Sequence, residues 1–402
     1  MRNVLIKILT YLFMLVGFAC QTQTGSLPSA KPESVGMSSA RLQILDKIIQ
    51  EAIDRKDFPG ADILVARRGK TVWRKVYGYS QWVPEYRPME ISMIFDVASL
   101  TKPVATATSL MILAENGHLS LWDKVVDYIP EFIPYVDEDG ELGEDACIWN
   151  LLTHTAGLPD YIWELEVLEE FGNPISLESL VNYIAQLEKL YPPGEDFFYS
   201  CLDFITLTLI VKVVSGKTLA EFAHENIFSR LNMADTFYVP SEEFYPRCVP
   251  TEVIDGRPLI GIVHDPLARL LGGVSGNAGL FSTADDLAIF AQMMLNQGEF
   301  KGVRILSPLA VERMSEIYRM VDFAGRGLGW DLDSSFSTNQ GNLFGPRTFG
   351  HTGYTGTSLI IDPETETFVI FLTNRVHPYD EGEIVSLRSR VANVVAGSIL
   401  KK

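Results

Sequence analysis

A serine followed three residues later by a lysine, Ser99-Leu100-Thr101-Lys102, is a pairing able to do nucleophilic chemistry. A hydroxyl attacks poorly until a neighbouring base takes its proton, and a deprotonated lysine amine is such a base. Three residues is most of a helical turn, so both side chains can share one face. The spacing alone is weak evidence, because Ser398 and Lys401 repeat it at the tail. The ordinary explanation of Ser99 is a helix N-cap, a place serine favours. Lys102 fits that explanation badly, since a cation in the first turn faces the positive end of the macrodipole. The segment that follows, PVATATSLMILA, has no charge, so this helix is expected to be buried nearly all round. Burial and the dipole would both lower the pKa of Lys102. On this stretch alone, a capping serine and a catalytic pair both stay open.

The elements that must hold the pair are legible from periodicity. Residues 39–58 place Leu42, Leu45, Ile48, Ile49 and Ile53 at helical spacing. PGADILVARRGKTVWRKVYGYS then reads as two strands around Arg68-Gly69-Lys70. TSLIIDPETETFVIFLTNR, 357–375, is a second hairpin around Asp362-Pro363-Glu364, and 383–400 is again helical. Strands thus cluster at both ends, while about 99–299 is mostly helix and loop. The expected architecture is α+β: one antiparallel sheet from about 39–98 and 300–402, flanked by the terminal helices, with a mostly helical part inserted. Ligand sites favour such junctions.

Composition bounds the function. The 402 residues are 47% hydrophobic and 21% charged, a globular balance, and the net charge of -18 excludes the basic stripe that nucleic acid needs. Residues 1–20 read as an export signal: Arg2 and Lys7, a short apolar run, then small residues ending at Cys20. That ending resembles a bacterial lipoprotein site with Cys20 acylated, although Gly17 stands where leucine is usual. The lipid would be the chain's one link to a membrane, and 21–38 would be a polar tether. Cys147, Cys201 and Cys248 remain, an odd number implying no disulfide framework. Their spacing with the six His fits no metal template, so no metal or other cofactor is expected.

Two more short motifs follow the first in order. PPGEDFFYSCLDFITL carries Tyr199-Ser200-Cys201 where a helix should open after a Pro-Gly turn, and RTFGHTGYTGTSLIIDP carries His351-Thr352-Gly353 entering a strand. With NLLTHTAGLPDY, GLFSTADDLAIFAQMMLNQG and LTNRVHP, the chain from about 35 to 400 resembles the serine penicillin-recognising superfamily. The likeness is to its class C β-lactamase-like branch of DD-peptidases, esterases and β-lactamases.

That resemblance implies roles. Ser99 would be acylated, Lys102 and Tyr199 would share the proton traffic, and either could be the base. The N–H groups of Ser99 and Tyr354 would hold the oxyanion, and Gly353 would leave room for substrate. His351 would offer a polar group with some positive charge, and Thr352 a hydroxyl, to a substrate carboxylate. Two positions depart from the branch. Cys201 stands where an asparagine usually bonds substrate and lysine, and a thiol is a weak partner. His351 stands where lysine usually supplies a fixed charge. Both changes count against efficient β-lactam hydrolysis and leave the acylating set intact.

Other candidates have plainer explanations beside the functional ones. His154 reads as a framework histidine rather than a base, and Cys201 as an inert thiol rather than a second nucleophile. His264 and Asp265 sit in a Gly-rich loop near the cleft as candidate substrate contacts. Arg347 and Arg375 are carboxylate ligands or surface charges. The expectation is an exported serine hydrolase acting on a D-amino-acid-terminated peptide or small ester. Its alternatives are a β-lactamase and a catalytically silent binding module.

Overall fold

The computed structural model describes residues 26–401. The expected export signal and the Cys20 expected to be acylated lie outside them. A six-stranded antiparallel sheet is built from both ends of the chain. Its strands are β1 (Gly60–Arg67), β2 (Lys70–Gln81) and β3 (Arg87–Pro88) from the N-terminal part. β7 (Phe349–Thr352), β8 (Ser358–Asp362) and β9 (Thr367–Thr373) come from the C-terminal part. The order is β7-β8-β9-β1-β2-β3, with Ala61 opposite Thr373 and Arg67 opposite Thr367.

Every residue of β1 is buried, which one covered face would not explain. Both faces are covered. Ile63, Val65, Val369 and Phe371 pack on the terminal helices α1 (Ile44–Asp54) and α7 (Val385–Gly397). Leu64, Ala66, Phe368 and Ile370 face the other core, with Leu287 and Phe290 of α6 (Ala284–Leu295). Strand alternation therefore puts one set of apolar residues into each layer.

The inserted part holds α2 (Thr108–Glu115), α3 (Ile148–Thr153), α4 (Leu177–Ala185) and α5 (Cys201–Ser215). It also contains a small sheet that the sequence did not suggest: β4 (Phe95–Asp96), β6 (Leu280–Ser282) and β5 (Phe237–Tyr238), in that order. These strands are too short to show a period of two. β4 leads straight towards Ser99, so this sheet anchors the start of the turn that carries it.

The tether expectation is corrected for 26–38. Leu27, Val35 and Met37 are buried, Ala30 N–H donates to Thr71 O at 2.9 Å, and Met37 pairs with Ile399. The fully buried Arg67 guanidinium clamps the region, donating to Val35 O, Thr365 O and Lys401 O. A polar composition hid a segment held by backbone pairing and three widely spaced apolar side chains.

Candidate active site

Ser99 sits in a 3-10 turn, Ala98–Leu100, followed by a π-helical segment, Lys102–Ala107, before α2. Such wide turns recur at functional sites; here Thr108 Oγ1 reaches back five residues to Pro103 O at 2.8 Å. Ala98 has φ +47°, a left-handed conformation costing an L-residue roughly 1–2 kcal/mol. Asp96 holds it there, Oδ1 accepting from Ala98 N–H at 2.9 Å and Oδ2 from His264 N–H at 2.7 Å. Ser99 is therefore not an N-cap: its side chain is offered to Lys102.

Lys102 is buried with its three ammonium protons used. Nζ donates to Ser99 Oγ at 2.9 Å, Asn277 O at 3.0 Å and Cys201 Sγ at 3.6 Å. Asn277 O arrives through a tight passage at Gly276, where a Cβ would lie 2.3 Å from Phe204 O. The expectation of a lowered lysine pKa is corrected. Burial pushes it down, but Cys201, Tyr199 and Asp265 together outweigh burial, and the net direction is upward. That direction favours the ammonium, whose Nζ holds Ser99 Oγ.

Tyr199 precedes the N-cap of α5 and lies against His154, with ring centroids 4.4 Å apart, and against Phe336 at 5.0 Å. His154 occupies the left-handed C-cap of α3, φ 59°. Its Nδ1 is 2.9 Å from Asp203 Oδ2 on α5 and 3.2 Å from Ser200 N. Burial drives His154 well down and Asp203 well up, so the pair shares one proton. His154 is thus a framework group that fixes the platform under Tyr199. Cys201 completes the motif, its thiol pushed up by burial against the pull of Lys102, which leaves it a poor nucleophile. Cys147, Cys201 and Cys248 are free thiols.

The third motif lies on β7. Thr355 Oγ1 donates to Asp96 O and Thr357 Oγ1 to Val97 O, stitching the following turn to the backbone just before Ser99. That contact explains Gly353, where a Cβ would stand 2.5 Å from Val97 O and 2.1 Å from Thr357 Oγ1. The glycine makes room for the protein's own chain. No acceptor among the described residues takes the N–H of Ser99 or of Tyr354, and Arg375 Nε donates to Tyr354 O at 2.9 Å, holding that peptide. His351 is 5% exposed, and burial, then Arg326 and Lys102, drive its pKa well down. Burial and these two cations thus work against the charge expected of it.

Two cavities meet at Ser99, sharing Tyr199, Phe336 and Tyr354. One, about 740 Å³, is aromatic, with Tyr161, Trp163, Phe197 and Phe198, and takes in Cys201, His264 and Asp265. The other, about 470 Å³, carries Arg326, Arg375 and Arg388 beside His351 and Thr352. Arg375 is therefore in the site, paired with Asp380 at 2.6 Å. Arg347 is exposed and lines neither cavity. Arg326, Arg388, Asp203 and Asn277 were missed by sequence reasoning. Each acts through tertiary position, and none sits in a spacing that marks it. No group of three or more His, Cys, Asp or Glu suited to a metal occurs among the described residues.

Residues 45–392 match the family model described as Beta-lactamase. An Escherichia coli (strain K12) protein provisionally named a D-alanyl-D-alanine carboxypeptidase is 28% identical over 391 residues, covering 90% of this chain and 89% of that one. A Bacillus subtilis (strain 168) protein named N-acetylmuramyl-L-alanine amidase is 31% identical over 378 residues, covering 86% and 83%. Among solved structures, "EstCE1, a hydrolase with promiscuous acyltransferase activity" superposes with a TM-score of 0.70 at 22% identity, covering 90% of this chain and 99% of that one. With the antiparallel sheet between helical layers, these matches establish that the chain belongs to the beta-lactamase family of penicillin-binding-protein-like hydrolases.

Proposed function

We propose that this hydrolase works through an acyl-enzyme on Ser99 and cleaves a D-amino-acid-terminated peptide. The observation that carries the reading is Ser99 Oγ held 2.9 Å from the Lys102 ammonium where the aromatic and arginine-bearing cavities meet. Because that ammonium is fully engaged, Tyr199 is the group left to take the serine proton. The Ser99 oxygen attacks the scissile carbonyl, and the N–H groups of Ser99 and Tyr354 bear the developing oxyanion. Tyr199 returns the proton to the leaving amine, and water then releases the acyl group by the reverse route. The arginine-bearing cavity suits the leaving residue's carboxylate, with Thr352 beside it.

A small apolar ester is the second reading, favoured by the aromatic cavity, which offers more apolar wall than a short peptide needs. The β-lactamase alternative ranks below both, because the Cys201 thiol beside Lys102 offers little to a substrate amide. The fully assembled Ser99, Lys102 and Tyr199 set argues against a silent binding module. The export signal and a lipid on Cys20 belong to the same proposal; lipid labelling should vanish in Cys20→Ala.

The test is one preparation assayed on a peptide ending in D-Ala-D-Ala, its C-terminal amide, a nitrophenyl ester and a chromogenic cephalosporin. The free peptide should lead the amide, and Ser99→Ala should lower every rate by about 10⁴-fold or more. Ester turnover by Ser99→Ala at the wild-type rate would refute the nucleophile, and a cephalosporin outpacing the peptide would refute the substrate.

A further inference from the structure

Arg326 is among the largest fully buried side chains, at 1% exposure, and it belongs to none of the three motifs. One guanidinium nitrogen, Nη1, approaches Asp331 Oδ1 at 3.4 Å, while Nε and Nη2 have no hydrogen-bond partner among the described residues. A buried cation left half-paired opposes folding unless something nearby uses its charge. Two rings are nearby, Phe197 at 6.0 Å and Tyr199, and of the two Tyr199 alone can carry charge. The guanidinium carbon is 5.8 Å from the centre of the Tyr199 ring, and Lys102 Nζ is 5.1 Å from the same centre. The phenol therefore has two cations within reach.

The fold fixes this arrangement. Arg326 pairs across a tight loop with Asp331, and the Asp331 backbone exchanges hydrogen bonds with Gly350, the neighbour of His351. The loop turns at Gly325, φ 63°, where a Cβ would lie 2.2 Å from Asp333 O. The arginine is thus stitched to the strand that carries the third motif. His351 on that strand has its ring 6.0 Å from that of Tyr199, but burial works against its carrying charge.

We propose that Arg326 is the fixed positive charge beside Tyr199, a positioning residue that stabilises the phenolate each time the tyrosine gives up its proton. The proposal rests on the roles of Ser99 and Tyr199 set out above. In acylation the Ser99 proton passes to the Tyr199 oxygen and then to the leaving group. A cation 5.8 Å from the ring centre favours the phenolate over the phenol. The charged and titratable groups facing it are Asp331 on its own loop, His154 and Tyr199 beside α3 and α5, Lys102 on the nucleophile's helix and His351 on β7.

The experiment is the pH dependence of kcat/KM on a neutral acetate ester, whose lack of a carboxylate removes any effect on substrate binding by charge. Arg326→Gln should lower the rate at neutral pH about tenfold and move the acidic limb up by about one pH unit. Arg326→Lys should keep most of both. Adding His351→Lys to Arg326→Gln should recover at least half of the loss, because it returns an ammonium to the same side of the ring. Asp331→Asn, which removes the counter-charge and keeps the arginine, should move the limb down, and it decides the matter should Arg326→Gln not fold. An unmoved limb in Arg326→Gln or Asp331→Asn overturns the proposal. So does failure of lysine at either position to recover activity in variants that melt like wild type. Labelling of Ser99 by a fluorophosphonate separates the two levels: an unlabelled wild type sinks the nucleophile, and a labelled one with an unmoved limb sinks Arg326 alone.

Discussion

The two cavities that meet at Ser99 are built from different material. The larger is walled by rings on the segment between α3 and α5, with Tyr161, Trp163, Phe197 and Phe198. The smaller draws Arg326, Arg375 and Arg388 from three separate stretches of the C-terminal part. Apolar walls attract whatever sheds water easily and read length and bulk; arginines read charge and planar geometry. A substrate spanning both has an apolar acyl side and an anionic leaving side. The wall between them is Tyr199, held from behind by His154 and Asp203. The residue proposed to move the proton is thus also the partition, so a substrate seated on both sides would already be aligned with it.

That contrast can be broken experimentally. Trp163 is 78% exposed at the rim of the aromatic cavity alone. Trp163→Ala should lower kcat/KM for a hexanoate ester about tenfold, the worth of one or two buried methylenes. An acetate ester should be unaffected, and equal losses on both would show that this cavity does not read acyl length. A smaller effect is expected at Cys201→Asn, which puts an amide beside Lys102 and the aromatic cavity. Acylation by a fluorescent penicillin should rise about fivefold, the scale of one hydrogen bond. No rise would mean that some other feature disfavours β-lactams.

The smallest effect concerns the partition. Asp203 and His154 together keep one proton when folded, one group shifted up and the other down. Unfolded, the two hold two protons below the ordinary carboxyl range, one between about pH 4 and 6.5, and none above. Stability from this pair is therefore level in the middle window. It falls as pH rises through the histidine's unfolded value, where the folded state still binds the proton, at up to about 1.4 kcal/mol per pH unit. In Asp203→Asn the alkaline decline should flatten. Thermal melts of both proteins from pH 5 to 8 compare them, and parallel curves would mean the pair does not hold that proton.

The terminal hairpins and helices were legible because period-two and period-3.6 patterns survive wherever a face meets a core. The short strands β4, β5 and β6 were not, since two or three residues carry no period. Likewise, the three motifs stood out because their chemistry is local, within three residues each. Arg326, Asp203 and Asn277 did not, because what each does depends on a partner more than 40 residues away along the chain.

By itself, the sequence determined the family, through the resemblance its three ordered motifs carry, and the two terminal hairpins of one antiparallel sheet, through residue type and spacing. Only the tertiary structure decided the charges. Lys102 looked like a neutral amine until Cys201, Tyr199 and Asp265 were seen around it, and His351 looked partly cationic until its burial beside Arg326 was seen. Protonation depends on the summed field and desolvation at a point in space, and neighbours along the chain supply only part of either.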